Sequence, residues 1–145
     1  MRIQSPDFDP NGLIPGRFTC DGEDVNPKMV ISGVPESAAC LALIMDDPDA
    51  PIGNWVHWVV WNIPPGQTEI AADSVPAGSV QGITSFGKPG YGGPCPPSGE
   101  HRYFFKMYAL DEKLDLPEDT TAKDLEAAMV GHILDKAGLI GVYGR

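Results

Sequence analysis

Residues 55–63 read Trp55-Val56-His57-Trp58-Val59-Val60-Trp61-Asn62-Ile63. Aromatic and β-branched side chains dominate, as in a strand, and Pro64-Pro65-Gly66 ends it. With a repeat of two, Trp55, His57, Val59 and Trp61 share one face, and Val56, Trp58, Val60 and Asn62 share the other. The segment is apolar enough to be buried on at least one face, yet it carries one of the chain's three histidines.

Working outward, Leu41 to Met45 is an unbroken apolar run of strand length. It delivers the chain to Asp46-Asp47-Pro48-Asp49-Ala50-Pro51. Lys28 to Val34 alternates and reads as a further strand, closed by Pro35. Before it, Pro6, Pro10, Pro15 and Pro27 forbid long helices. Residues 66–100 hold six glycines and four prolines in alternation from Gly82 onward and predict a long loop with one short strand. Loops of that length within a domain are commonly functional. His101 to Leu110 is a second clear strand, with His101, Tyr103, Phe105 and Met107 on one face. Thr121 to Ala137 has the pattern of a helix. Thr121 and Asp124 form its capping box, Leu125, Ala128, Met129, His132 and Ile133 form its apolar stripe, and Gly138 is its C-terminal cap. Leu139 to Tyr143 reads as a last strand.

The 145 residues suit one domain, 1–145, with a sizeable core. An apolar fraction of 42% is ordinary for a folded chain, and 17 glycines and 15 prolines without a repeat mark turns in a mainly β protein. The net charge of -10 repels phosphate backbones and anionic membranes. Nucleic-acid partners are therefore disfavoured, and an anionic ligand must meet a local positive spot. No apolar run is long enough for a transmembrane helix, and the first residues lack a signal-peptide core. A cytoplasmic protein without integral membrane association is expected. Cys20, Cys40 and Cys95 form no C-x-x-C pair. Nothing in the spacing calls for a Cys20–Cys95 disulfide, and free thiols suit a cytosolic protein. Cys40 opens an apolar run and belongs to the core.

On spacing alone, His57 and His101 read as two separate core histidines, each with its own hydrogen-bond partner. The acidic segment reads as a solvated turn or as a carboxylate fixed to orient or charge a histidine. In the second reading the carboxylate raises the histidine pKa, and the resulting cation binds an anion. His132 is structural, held by a carbonyl or carboxylate. The glycine-rich loop is not a P-loop, and no Gly-x-Ser-x-Gly elbow exists.

Two stretches carry a resemblance. Asp47-Pro48-Asp49-Ala50-Pro51 with His57-Trp58 and Asn62-Ile63, and Gly99-Glu100-His101-Arg102-Tyr103-Phe104-Phe105, resemble the two signature regions of the phosphatidylethanolamine-binding protein family. Thr19 to Pro27, Gly131-His132-Ile133-Leu134 and Gly141-x-Tyr143 are similar to its compact bacterial and archaeal branch, labelled Raf-kinase-inhibitor-like. The resemblance spans nearly the whole chain. It implies a β-sandwich with a large antiparallel sheet and a few peripheral helices. It also implies an anion pocket in which Asp47, His57 and His101 form the polar triad, Pro97 the rim, and Tyr103 an aromatic hydroxyl. Asp49 and Arg102 become supports of the signatures, and a cis bond is implied before Pro51. The loop before His101 is shorter than in animal members, and no C-terminal helix follows Gly138, so a more open pocket is implied.

Three function classes follow. The first is a non-enzymatic module for a small anionic ligand, phosphate or phosphoethanolamine-like, with no cofactor. The second is a metal-dependent enzyme built on a two-His, one-Asp set. The third is an interaction protein that regulates a kinase or protease, as the family's labels imply. A homodimer is compatible with each.

Overall fold

In a computed structural model that describes all 145 residues, the segment read first is a strand of a five-stranded antiparallel sheet. In chain order the elements are β1 (Arg2–Gln4), a 3-10 turn (Gly16–Phe18), β2 (Met29–Ser32), β3 (Cys40–Asp47), β4 (Trp55–Ile63), β5 (Glu69–Ile70) and β6 (Val80–Gln81). They continue with β7 (Glu100–Leu110), α1 (Ala122–Met129) and β8 (Ile133–Gly144). The large sheet runs β6-β4-β3-β7-β8, and a small sheet runs β1-β2-β5. The loop region expected to hold one short strand holds two, β5 and β6.

The apolar run of β3 is explained by its place in the middle of the large sheet, buried on both faces. Leu41, Leu43 and Met45 point into a core shared with the small sheet, where Met29, Ile31 and Ile70 meet Phe105 and Met107. Cys40, Ala42 and Ile44 point into a second core, under Leu114, Ala122, Leu125 and Met129 of α1 and the segment before it. The sandwich of two sheets is thus backed by a thin helical layer.

Two sequence expectations are corrected here. The helix begins as read, with the Thr121–Asp124 capping box in place. It stops at Met129 rather than at Ala137, and Gly131, at φ 84°, takes the turn in place of Gly138. Residues 133–137 instead open β8, which pairs with β7 along its whole length, from Leu110–Ile133 to Glu100–Gly144. His132 lies in the turn between α1 and β8, where its Nδ1 is 2.8 Å from Asp111. No peptide bond is cis, so the bond before Pro51 is trans.

Candidate functional site: a His–Asp cavity at the end of the large sheet

β3 ends on two consecutive acids, and the strand's alternation sends them to opposite faces. Asp46 turns toward the helix side, where Lys106 Nζ at 2.5 Å and Asn54 Nδ2 at 3.1 Å donate to it. Asp47 turns the other way. Its Oδ2 lies 2.7 Å from Nδ1 of His101, at the start of β7, and its Oδ1 accepts the Asp49 backbone N–H at 2.8 Å. Asp49 in turn accepts from the Arg102 backbone and from its guanidinium at 2.8–3.0 Å. The Arg102 bonds hold the Asp49 carboxyl at a pKa of about 2. The two segments quoted for the resemblance are therefore bolted together by two acid–base pairs.

The third polar side chain arrives through a break in the alternation. Met45 faces Trp58 and Asp46 faces Val56, so His57 is an extra residue bulged out of β4. The face assignment read from the sequence fails at this point. Val59 and Trp61 pack with Val56 on the helix side, whereas His57 lies against Tyr103, whose ring belongs to the other core. The His57 imidazole donates from Nδ1 to the Gly92 carbonyl at 2.6 Å. Each histidine thus has its Nδ1 engaged, and Nε2 is the nitrogen left for a guest.

Asp47, His57, His101, Tyr103 and Pro97 line one cavity of about 420 Å3, with Trp55, Phe86, Ile52, Pro51 and Pro96 among its apolar walls. The five residues named for the site from the sequence therefore come together. The Tyr103 ring touches both imidazoles, with centroids 5.2 Å from His57 and 6.5 Å from His101. Its hydroxyl is buried and has no hydrogen-bond partner within the protein. Burial pushes the Tyr103 pKa up, with Asp47 and Asp49 adding, so the group is a neutral donor. For His57 the sequence expectation is reversed. Burial lowers its pKa, and the Gly92 carbonyl and Asp47 oppose this without overcoming it.

No group of three His, Cys, Asp or Glu is gathered closely enough to hold a metal ion, so the two-His, one-Asp metal reading has no geometric support. The expectation of free thiols at the rim is overturned. Cys20 and Cys95 form a disulfide, and Cys95 is part of the cavity wall. Only Cys40 is free, and it is buried as expected. The expectation of free thiols rests on a cytosolic reading, and it fails at the Cys20–Cys95 pair. Phe86 and Trp55, in edge contact at 5.5 Å, were not singled out by the sequence reading, and neither was the Gly92 carbonyl. The bulge that brings His57 to them leaves no mark in the composition.

The fold is thus a β-sandwich with a carboxylate, two imidazoles and a phenol in one cavity. The model of the phosphatidylethanolamine-binding protein family matches residues 4–144. A protein of Methanothermobacter thermautotrophicus described as UPF0098 is 51% identical over 100% of this chain and 99% of its own length. A UPF0098 protein of Aquifex aeolicus is 49% identical over 100% of this chain and 89% of its own. Among solved structures, a phosphatidylethanolamine-binding protein homologue from Chlamydia trachomatis superposes with a TM-score of 0.96 at 38% identity, covering 99% of this chain and 97% of that one. The chain belongs to the phosphatidylethanolamine-binding protein family.

Proposed function

We propose that the cavity binds a small phosphoryl anion carrying an organic substituent, with phosphoethanolamine as the working probe. The observation that carries this is the set of three half-used polar groups on one wall: Nε2 of His57, Nε2 of His101 and the Tyr103 hydroxyl. No Lys or Arg lines the cavity. In a chain of net charge -10, protonated imidazole is then the source of positive charge on the cavity wall itself. Asp47 supports this at His101, because its carboxylate engages Nδ1 at 2.7 Å and leaves Nε2 as the nitrogen for a guest. The name of the matching family supports a phosphoryl head group as the guest. The apolar walls suit whatever the phosphate bears.

The reading is binding without turnover. No Ser or Thr lines the cavity, and its one cysteine is in the disulfide. The Asp47–His101 pair thus has no serine or threonine hydroxyl and no free thiol in the cavity to activate as a nucleophile. Charge-assisted hydrogen bonds contribute about 1.5–3 kcal/mol each. Two or three of them, less the cost of ordering, correspond to millimolar to micromolar affinity. Calorimetric titration with phosphoethanolamine, with ethanolamine as control, tests the reading. Phosphoethanolamine alone should bind, and His101→Ala should remove the heat. Equal binding of ethanolamine, or binding untouched in His101→Ala, would show that these groups do not hold the guest.

A further inference from the structure

The wall of the cavity opposite the sheet is a loop held in an unusual way. Up to Pro94 the loop is tied densely to the rest of the chain. The Gly92 N–H donates to the His57 carbonyl at 2.9 Å, and its carbonyl takes the His57 Nδ1 proton. The Gly93 N–H donates to Asp24 Oδ1 at 2.7 Å, and the Pro94 carbonyl accepts from Cys20 at 3.1 Å. Gly93 sits so close to the 18–24 segment that a Cβ there would lie 2.4 Å from the Phe18 carbonyl. The ties resume at Gly99, which exchanges backbone bonds with Arg145 at 3.1 and 3.3 Å. Between them, Cys95-Pro96-Pro97-Ser98 makes no backbone–backbone hydrogen bond. Two of these residues are prolines with no N–H to give. Yet Cys95, Pro96 and Pro97 all line the cavity. One covalent link, Cys20–Cys95, fixes this stretch of wall.

Both cysteines are exposed. Nη2 of Arg145, whose guanidinium is paired with Asp21, lies 3.2 Å from the Cys20 sulfur and 3.8 Å from that of Cys95. A cation at the sulfurs stabilises the thiolate that leaves when a disulfide is attacked, and exposure gives the attacking thiol access. We infer that Cys20–Cys95 is a thiol–disulfide exchange site that sets the order of the cavity rim and, through it, the affinity for the anion. This rests on the binding reading above. In the exchange, a thiolate of an external dithiol attacks one sulfur, and the other sulfur leaves as a thiolate beside Arg145. The second thiol of the reagent then displaces the first protein sulfur. The dithiol loses two electrons and becomes a disulfide, while the protein gains two electrons and the two protons to become two thiols. The rim then samples positions away from the cavity, and apparent affinity falls by the fraction of time spent there.

The test uses the whole chain, oxidised and then reduced with dithiothreitol, with thiols counted at each stage. The count should rise from one, Cys40, to three. Phosphoethanolamine affinity should weaken roughly three- to tenfold on reduction, and amide exchange at Cys95, Ser98 and Gly99 should speed up. Cys20→Ser should behave as the reduced parent under both conditions. Should that variant fold poorly, the reduced parent alone decides the matter. Arg145→Gln should slow reduction by dithiothreitol several-fold while the oxidised form binds as before. Equal affinity in the two redox forms of a protein that does bind would overturn the inference and leave the binding reading standing. If the oxidised protein binds no phosphoethanolamine, the binding reading fails, and amide exchange still decides the rim: unchanged exchange overturns its release, faster exchange upholds it.

Discussion

The two faces of the large sheet each bury one polar atom without a partner, and the surroundings are opposite in kind. On the helix side it is Nε1 of Trp61, packed in a cluster with Val59, Cys40 and Leu125. On the sandwich side it is the hydroxyl of Tyr103, at the wall of a cavity with His57, His101 and Asp47. An unmade bond in a packed cluster costs about 1–3 kcal/mol, which surrounding burial must offset. Under the proposed binding, the same orphan at the wall of a cavity becomes a donor for the guest. Burial of a lone polar atom therefore does not mark a site by itself. The mark is several half-used groups converging on one space.

The sharpest way to break this comparison is one substitution on each face. Leu125→Ala empties part of the helix-side cluster, where Leu125 is fully buried. It should cost about 2–5 kcal/mol of stability and leave phosphoethanolamine affinity unchanged. His101→Ala should do the reverse. It removes a charge-assisted bond worth about 1.5–3 kcal/mol, a roughly 10- to 150-fold loss of affinity, and should cost the fold less than Leu125→Ala. Chemical denaturation and calorimetry on both proteins check the pair. A loss of binding in Leu125→Ala as large as in His101→Ala would mean that the faces are coupled and the division is wrong.

The sequence reads well where one strand's own pattern decides its fate. Trp55–Ile63 and His101–Leu110 form strands because β-branched and aromatic residues are rich there, and Leu41–Met45 forms one because its short unbroken apolar run suits a strand buried on both faces. Residues 133–137 differ from the expected helix because His132 and Ile133 continue the helical stripe of Leu125, Ala128 and Met129 as readily as Ile133 opens a strand. What decides is the length of β7, whose free edge they complete. The local stop at Gly131 is the signal that could have separated the two. The triad's meeting was legible only through the resemblance, since Asp47 and His101 are 54 residues apart. The bulge at His57 and the disulfide across 75 residues are products of the tertiary fold and leave no local signature.

Acid pH sharpens the contrast next. Burial lowers the His57 pKa from its ordinary value of 6.5, so the unfolded chain takes up a proton there before the folded one does. The stability tied to neutral His57 is intact above about pH 6.5 and is lost as pH falls from there through the folded value. A phosphoryl guest reverses the preference, since it favours the charged ring. Binding should thus take up protons and strengthen as pH falls from 8. It should weaken again below about pH 6, where a phosphate monoester becomes a monoanion. The optimum lies on the acid side of pH 6.5. Melting temperature against pH, with and without phosphoethanolamine, should show the ligand protecting most in the window below pH 6.5. His57→Gln should flatten both curves there. An affinity independent of pH in the parent would mean that neutral donors alone hold the guest.

The smallest expected effect is the most direct test of the two orphans. Tyr103→Phe deletes one oxygen and keeps the ring against His57 and His101. In the free protein this removes a buried donor that has no protein partner, so stability should stay level or rise by up to about 1 kcal/mol. In the complex it removes a neutral hydrogen bond worth about 0.5–1.5 kcal/mol, so affinity should fall roughly 2- to 12-fold. Stability and affinity then move in opposite directions from a single atom. Trp61→Phe also deletes an orphan donor, but it leaves a void in the helix-side cluster, so stability should drop while affinity stays where it was. Suppose instead that Tyr103→Phe weakens the fold and leaves phosphoethanolamine binding untouched. The Tyr103 hydroxyl would then be serving the fold and not the guest, and the two faces would differ in their packing but not in their purpose.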